Sequence, residues 1–275
     1  MHWTRDKFLS TDNIKITLMG MSGVGKTHLS NVLTKYGWKH YSADYMILKR
    51  HLEELILNEA AIEAKKNHFL RDLLETKSIK IESTANISNL SLMSIYMGMI
   101  GEPKQGGLKA DEFRKRQNLY INAETCVMKE AINWIEENEI SEPKSNLLID
   151  STGSFCEIPN SSIVSRLAQK SLIVYIKASN EDELFKRAIE YPKPIYYPEA
   201  LLVTLIEEFL KKEGVQSIEK IGPDQFYRYA FPQLFYTRIP KYENISEQYG
   251  CMISSDDVSS VRTEQDFLEV VIRNL

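Results

Sequence analysis

Apolar positions along this chain fall into short β-rich runs separated by stretches with helical spacing. Residues 14–19 are a first apolar run ending at Gly20. After a glycine-rich stretch, Leu29, Val32 and Leu33 recur at helical spacing over 27–36, and Gly37 provides a C-terminal stop. Residues 38–41 read as a second strand closing at Ser42, Ala43 and Asp44. The span 45–74 reads as helical, and 87–108, with Gly98, Gly101, Pro103, Gly106 and Gly107, as a loop or flap. A long amphipathic helix is predicted over 111–137, and buried-type strands over 146–150 and 172–176. Helices are expected at 161–169, 181–190, 198–212, 223–236 and 264–273, with a last strand at 250–253. Pro192, Pro194 and Pro198 exclude regular structure from 191–198.

Strands alternating with helices imply an α/β fold whose parallel sheet is covered on both faces. The bulk numbers narrow the function. The 275 residues are 43% hydrophobic and 26% charged, with a formal net charge of -4. A mildly acidic chain argues against a sequence-independent hold on nucleic acid. Cys126, Cys156 and Cys251 are far apart without metal spacing, which fits reduced thiols in the cytosol. The polar start and the lack of an apolar run near about 20 residues lead us to expect a cytoplasmic protein with no membrane association.

The strongest chemical signal is Gly20-Met21-Ser22-Gly23-Val24-Gly25-Lys26-Thr27, a full G-x-x-x-x-G-K-[ST] match between a strand and a helix. Backbone N–H groups of such a loop and the following helix N-terminus face phosphate oxygens. Lys26 would reach the β- and γ-phosphates of ATP, and the Thr27 hydroxyl would hold Mg²⁺. His28 follows directly and lies near the nucleotide or is a plain helix residue. Asp150 ends an apolar strand, where it supports the metal or else caps the turn that follows. Asp44 ends the second strand at the same sheet edge, where it orients an acceptor hydroxyl or caps a helix.

These segments, in this order, resemble the shikimate kinase family of P-loop small-molecule kinases. Asp44 follows the loop; Glu112-Phe113-Arg114, with Glu124 on the same helix, resembles the family's Phe-Arg segment. The run from Leu148 to Ser154 stands in the place of the family's strand and glycine-rich turn. The segment from Leu172 to Arg187 and the run from Tyr236 to Glu243 match in order. The resemblance implies that Arg114 and Arg238 bind an anionic group on the acceptor, with Gly153 beside it. It also implies that Lys193 is a lid cation near the γ-phosphate and that Arg187 contacts the nucleotide. Arg114 as a solvated charge and Arg238 as an ion-pair partner of Glu243 are the plainer alternatives.

The departures from the family cluster on the acceptor side. Ser42 and Asp44 replace its paired acids, Asp150 is an added one, and Ser-Thr-Gly-Ser replaces its three-glycine turn. The stretches before Phe113 and around the lid are enlarged. The expected architecture is therefore an α/β P-loop NTPase with about five parallel strands flanked by helices, plus a helical insertion and a lid. Residues 1–275 would form one domain, with 45–110 as a helical or flap insertion and 188–235 as the enlarged lid region. The expected activity is ATP-dependent phosphorylation of a small, anionic metabolite. A nucleoside or nucleotide kinase and an ATP-hydrolysing regulatory protein are the alternatives, and oligomeric state stays open. The aromatic run Phe226, Tyr227, Tyr229, Phe231, Phe235 and Tyr236 reads as core packing or a stacking surface.

Overall fold

The computed structural model describes residues 3–275; His2, one of five histidines without metal spacing in the sequence, lies outside them. The elements run α1 (Arg5–Leu9), β1 (Lys15–Met19), α2 (Lys26–Lys35), β2 (Lys39–Ser42), α3 (Ala43–Ile47), α4 (Glu53–Ala64), α5 (His68–Glu75), α6 (Ser91–Met97) and α7 (Ala110–Ser141). There follow β3 (Leu147–Asp150), α8 (Ser161–Lys170), β4 (Leu172–Lys177), α9 (Glu181–Glu190), α10 (Glu199–Glu213), α11 (Pro223–Tyr249), β5 (Gly250–Ser254), α12 (Ser255–Ser260) and α13 (Glu264–Arg273).

All five strands are parallel, in the order β2-β3-β1-β4-β5. The alternation of side chains along β4 explains why both faces are covered. Ile173 and Tyr175 pack with α7, α8 and Tyr242 of α11 on one face. Leu172, Val174 and Ile176 pack with Leu29 of α2 and Phe267 of α13 on the other. Side chains of this kind are each worth about 1.5–3 kcal/mol when fully buried, so the two apolar layers clamp β1 in the middle of the sheet. The chain leaves β1 toward β2 on one side and later returns to β4 on the other. The carboxyl end of β1 is therefore a switch point, where open α/β sheets bind ligands.

Three segments differ from the sequence pattern. Residues 45–74 do not form one helix. A π-helical turn, Leu48–Leu52, separates α3 from α4, and its extra residue keeps Ile47, Leu48, Leu52 and Ile56 all in the core. The glycine-rich 87–108 stretch is not wholly a loop: α6 lies within it, and its buried Met93 and Met97 explain why it folds. Third, α11 does not stop near Tyr236 but continues through Pro232 and Pro240 to Tyr249. Each proline leaves a carbonyl four residues back without its donor, at Arg228 and Tyr236. Both of these residues are at the exposed side of the helix. Burial of Phe226, Phe231, Leu234, Phe235 and Tyr242 along α11 outweighs the two lost hydrogen bonds.

Candidate functional site

The loop between β1 and α2 takes a conformation that needs glycine. Gly20, Gly23 and Gly25 have φ of 146°, 95° and 106°, and a Cβ on Gly20 would lie 2.7 Å from the Ile176 carbonyl oxygen. Gly25 caps α2 without any side-chain hydrogen bond, which leaves first-turn N–H groups free to face an anion. Lys26 is buried, and its Nζ donates to the carbonyls of Gly20 (2.7 Å) and Met21 (3.2 Å). Burial lowers its pKa, and the nearby carboxylates of Asp150 and Asp44 work the other way. The Thr27 side chain is exposed at the same helix end.

Asp44 is not the cap of α3. Ser42 takes that role, its hydroxyl accepting from the Tyr45 N–H at 3.4 Å, so the Asp44 carboxylate is left to line a cleft. Burial pushes its pKa up to about 6 against the pull of Lys26, with Asp150 adding to the rise and Lys193 opposing it. Asp150 ends β3, paired with Leu18 on one side and Ser42 on the other. It accepts from Ser30 Oγ at 3.4 Å rather than capping the turn after it. Burial raises its pKa despite Lys26. His40 Nε2 is 4.0 Å from Asp150, but burial drives the imidazole down to about 4, so this contact carries no charge pair at neutral pH.

The cleft, of about 250 Å³, opens at the first half of the loop, beside Met21 and Ser22. From the proline-rich 191–198 segment, Lys193 reaches over it and donates to Ser22 Oγ at 2.9 Å. Gly153 faces the loop from the other side, where a Cβ would sit 3.4 Å from the Ser22 amide nitrogen. Its carbonyl accepts from Arg238 Nη1 (3.2 Å) and Tyr242 OH (2.7 Å), so α11 fixes the turn against the loop. A second groove, of about 550 Å³, opens at the other half of the loop, beside Gly23 and Gly25. Arg187 lines it, exposed and paired with Glu183 at 3.2 Å. His28 lines it as well, but its Nε2 donates to the Val261 carbonyl at 3.0 Å, which ties α2 to the segment after α12.

The chain has the P-loop fold. No family model matches the sequence, and no curated protein matches it. Similar solved structures include the shikimate kinase from Acinetobacter baumannii in complex with shikimate. It has a TM-score of 0.43 and 14% identity, with 98% of this chain and 97% of that chain covered. Another is the shikimate kinase from Bacteroides thetaiotaomicron, with a TM-score of 0.40 and 14% identity over 94% of this chain and 95% of that one. At these values neither likeness bears on activity or acceptor.

Lys26, Asp44, Asp150, Gly153 and Lys193 are thus gathered around the loop, and Arg187 and His28 lie beside the second groove. Arg114 is not in the cleft: its guanidinium faces Glu199 at 3.2 Å, close to the plainer reading of a surface charge. Arg238 lines the cleft, but its ion-pair partner is Glu157 at 3.3 Å rather than Glu243, which holds Lys177 instead. Its Nη2 donates to the Tyr196 carbonyl at 2.8 Å. Glu124 was drawn from the sequence only as part of the family's helix. It is fully buried behind the cleft, accepting from Thr152 Oγ1 and from Ser154 Oγ at 3.0 and 2.9 Å. Burial raises its pKa to about 7 against these hydrogen bonds. The available signal was its position: a charged residue four after Tyr120 and three before Val127, on the buried stripe of α7.

Proposed function

We propose that this chain transfers the γ-phosphoryl group of ATP to a hydroxyl of a small molecule held in the cleft. The observation that carries this reading is the meeting of three features at one cleft mouth: the Ser22 end of the loop, the Asp44 carboxylate, and Lys193 bonded to Ser22. A water-activating switch needs no enclosed acceptor space of this size next to its phosphate loop, whereas a kinase does.

In the proposed step the acceptor oxygen forms a bond to the γ-phosphorus. The bond from that phosphorus to the β–γ bridging oxygen breaks, and its electron pair leaves with ADP. The acceptor proton passes to Asp44. Lys26 exchanges its two loop carbonyls for phosphate oxygens, and Lys193 adds a second positive charge where negative charge spreads in the transition state. The second groove, with Arg187 at its edge, accommodates the nucleoside end of ATP.

Thr27 and Asp150 suit Mg²⁺: a hydroxyl and a carboxylate at the loop, with phosphate oxygens and water to complete the shell. The ion would neutralise charge on the β- and γ-phosphates. Among the described residues no three His, Cys, Asp or Glu side chains form a metal cluster, and a Mg²⁺ that arrives with the nucleotide requires none.

The test is ADP release from Mg²⁺-ATP by the purified protein, with and without pooled hydroxylated metabolites, alongside Lys26→Ala. We expect release that depends on one pool and falls at least about 100-fold in the variant. Hydrolysis indifferent to every pool but lost in the variant would replace the kinase by an ATPase.

A further inference from the structure

The cleft that receives the acceptor has a polar pole at the phosphate loop and walls that are mainly apolar. Ser22, Asp44 and Lys193 form the pole. Met93 and Met97 of α6, Ile195 of the proline-rich segment, and Phe231, Leu234 and Phe235 of α11 supply much of the apolar lining. Among the described residues, Asp44, Lys193 and Arg238 are the charged side chains that line the cavity.

Each cation is already engaged, Arg238 with three of its five N–H groups. Arg238 donates from Nε to Glu157, from Nη1 to the Gly153 carbonyl and from Nη2 to the Tyr196 carbonyl. The Glu157 side chain is itself buried and is shared between Arg238 and Lys241, so it offsets only part of the guanidinium charge. Lys193 sits on Ser22 at the lip of the phosphate loop, where the γ-phosphate comes. A carboxylate or phosphate on the acceptor would lie among methionine and phenylalanine side chains, facing the Asp44 carboxylate with Glu124 behind it. Removing such an anion from water without a partner is strongly unfavourable. An apolar body in the same place gains by leaving water, and methionines adapt to an irregular shape.

A nucleoside fits less well. The Tyr120 hydroxyl and Ser154 Oγ lie 3.3 Å from each other, and Ser154 also donates to Glu124, so the protons of both hydroxyls are taken up. A base edge would therefore bury donors and acceptors without partners.

We propose that the acceptor is an uncharged alcohol with an apolar body, whose hydroxyl lies at the Asp44–Lys193 pole and whose remainder fills the wall of α6 and α11. This rests on the phosphoryl-transfer reading above and goes against the anionic metabolite expected from the sequence.

The test uses the full-length protein with Mg²⁺-ATP and three probes: cyclohexylmethanol, trans-4-(hydroxymethyl)cyclohexanecarboxylate and uridine. The first two differ by a single carboxylate. We expect kcat/KM at least tenfold higher for the alcohol, with a phosphomonoester product seen by phosphorus NMR. Calorimetric binding of the same probes, with a non-hydrolysable ATP analogue and Mg²⁺ present, should give the same ranking without turnover. Equal or better binding of the carboxylate or of uridine overturns the uncharged acceptor and leaves phosphoryl transfer standing. ADP formation at one rate with or without any of these probes overturns the uncharged apolar acceptor, and phosphoryl transfer falls with it only if the rate is also indifferent to every pooled metabolite. Ser94→Lys places an ammonium at an exposed position of α6 that faces the cleft. It should shift the ratio at least fivefold toward the carboxylate; an unmoved ratio would show that this cavity does not hold the acceptor.

Discussion

In the proposed transfer Asp44 has to be ionised to take a proton, yet its surroundings favour the neutral acid. With its pKa raised to about 6, the charged fraction grows as pH rises through that value. We expect kcat/KM for ATP to climb about tenfold per pH unit on the acid side and to level off above about pH 7. In Asp44→Asn that acidic limb should disappear along with most of the activity. A limb of unchanged midpoint in the variant would assign the titration to another group. Glu124 poses the opposite question, since it has no route to solvent and its ordinary pKa lies well below the folded value of about 7. Folding therefore takes up a proton. The contribution is complete below the usual carboxylate range and is lost as pH rises toward about 7, a change on the order of 3 kcal/mol. Glu124→Gln keeps the shape without the charge. Its melting temperature should vary less between pH 5 and 8 than that of the parent, and should equal or exceed the parent's at pH 8. Parallel curves would mean that Glu124 does not titrate in this range.

At the scale of elements, the strongest constraint lies where α11 passes into β5. A Cβ on Gly250 would fall 1.7 Å from the Ile173 carbonyl oxygen, so β4 and β5 pair only because the residue there has no side chain. Gly250→Ala should cost about 3 kcal/mol or more in urea unfolding, since backbone rather than a mobile side chain would have to move. A loss below 1 kcal/mol would mean that the strand ends can part. The same region shows what a sequence pattern conveys and what it does not. The β1, β3 and β4 runs were legible because apolar residues filled them on both faces, and the phosphate loop because its glycines and Lys26 keep fixed spacing. The far half of α11 was not, because two prolines ordinarily break a helix and the packing of Tyr242 against Tyr175 (5.2 Å between ring centroids) is a tertiary fact. Arg114 misled for a related reason: a Phe-Arg pair on a helix does not say which way the arginine points, and here it turns to Glu199.

At the scale of the whole molecule, the loop is poised between two apolar layers that do not depend on it, so filling it should add stability rather than create the fold. Mg²⁺-ATP at 100 times its Kd should raise unfolding free energy by about 2.7 kcal/mol, seen as a higher melting temperature, with no such gain in Lys26→Ala. An equal gain in both would place the nucleotide elsewhere. The architecture was readable from alternating strand and helix patterns. The shape of the acceptor cleft was not, because it is assembled from α6, the 191–198 segment and α11, which are far apart in sequence.

The two cavities meet at the loop from different sides, Met21 and Ser22 facing one and Gly23 and Gly25 the other, with Leu184 between them. On the proposed function each substrate would have its own entrance, and neither would have to leave before the other arrives. The proposed transfer would then proceed through a ternary complex, not through a phosphorylated enzyme that shuttles the group. Two separate entrances would let the substrates of that transfer load in either order.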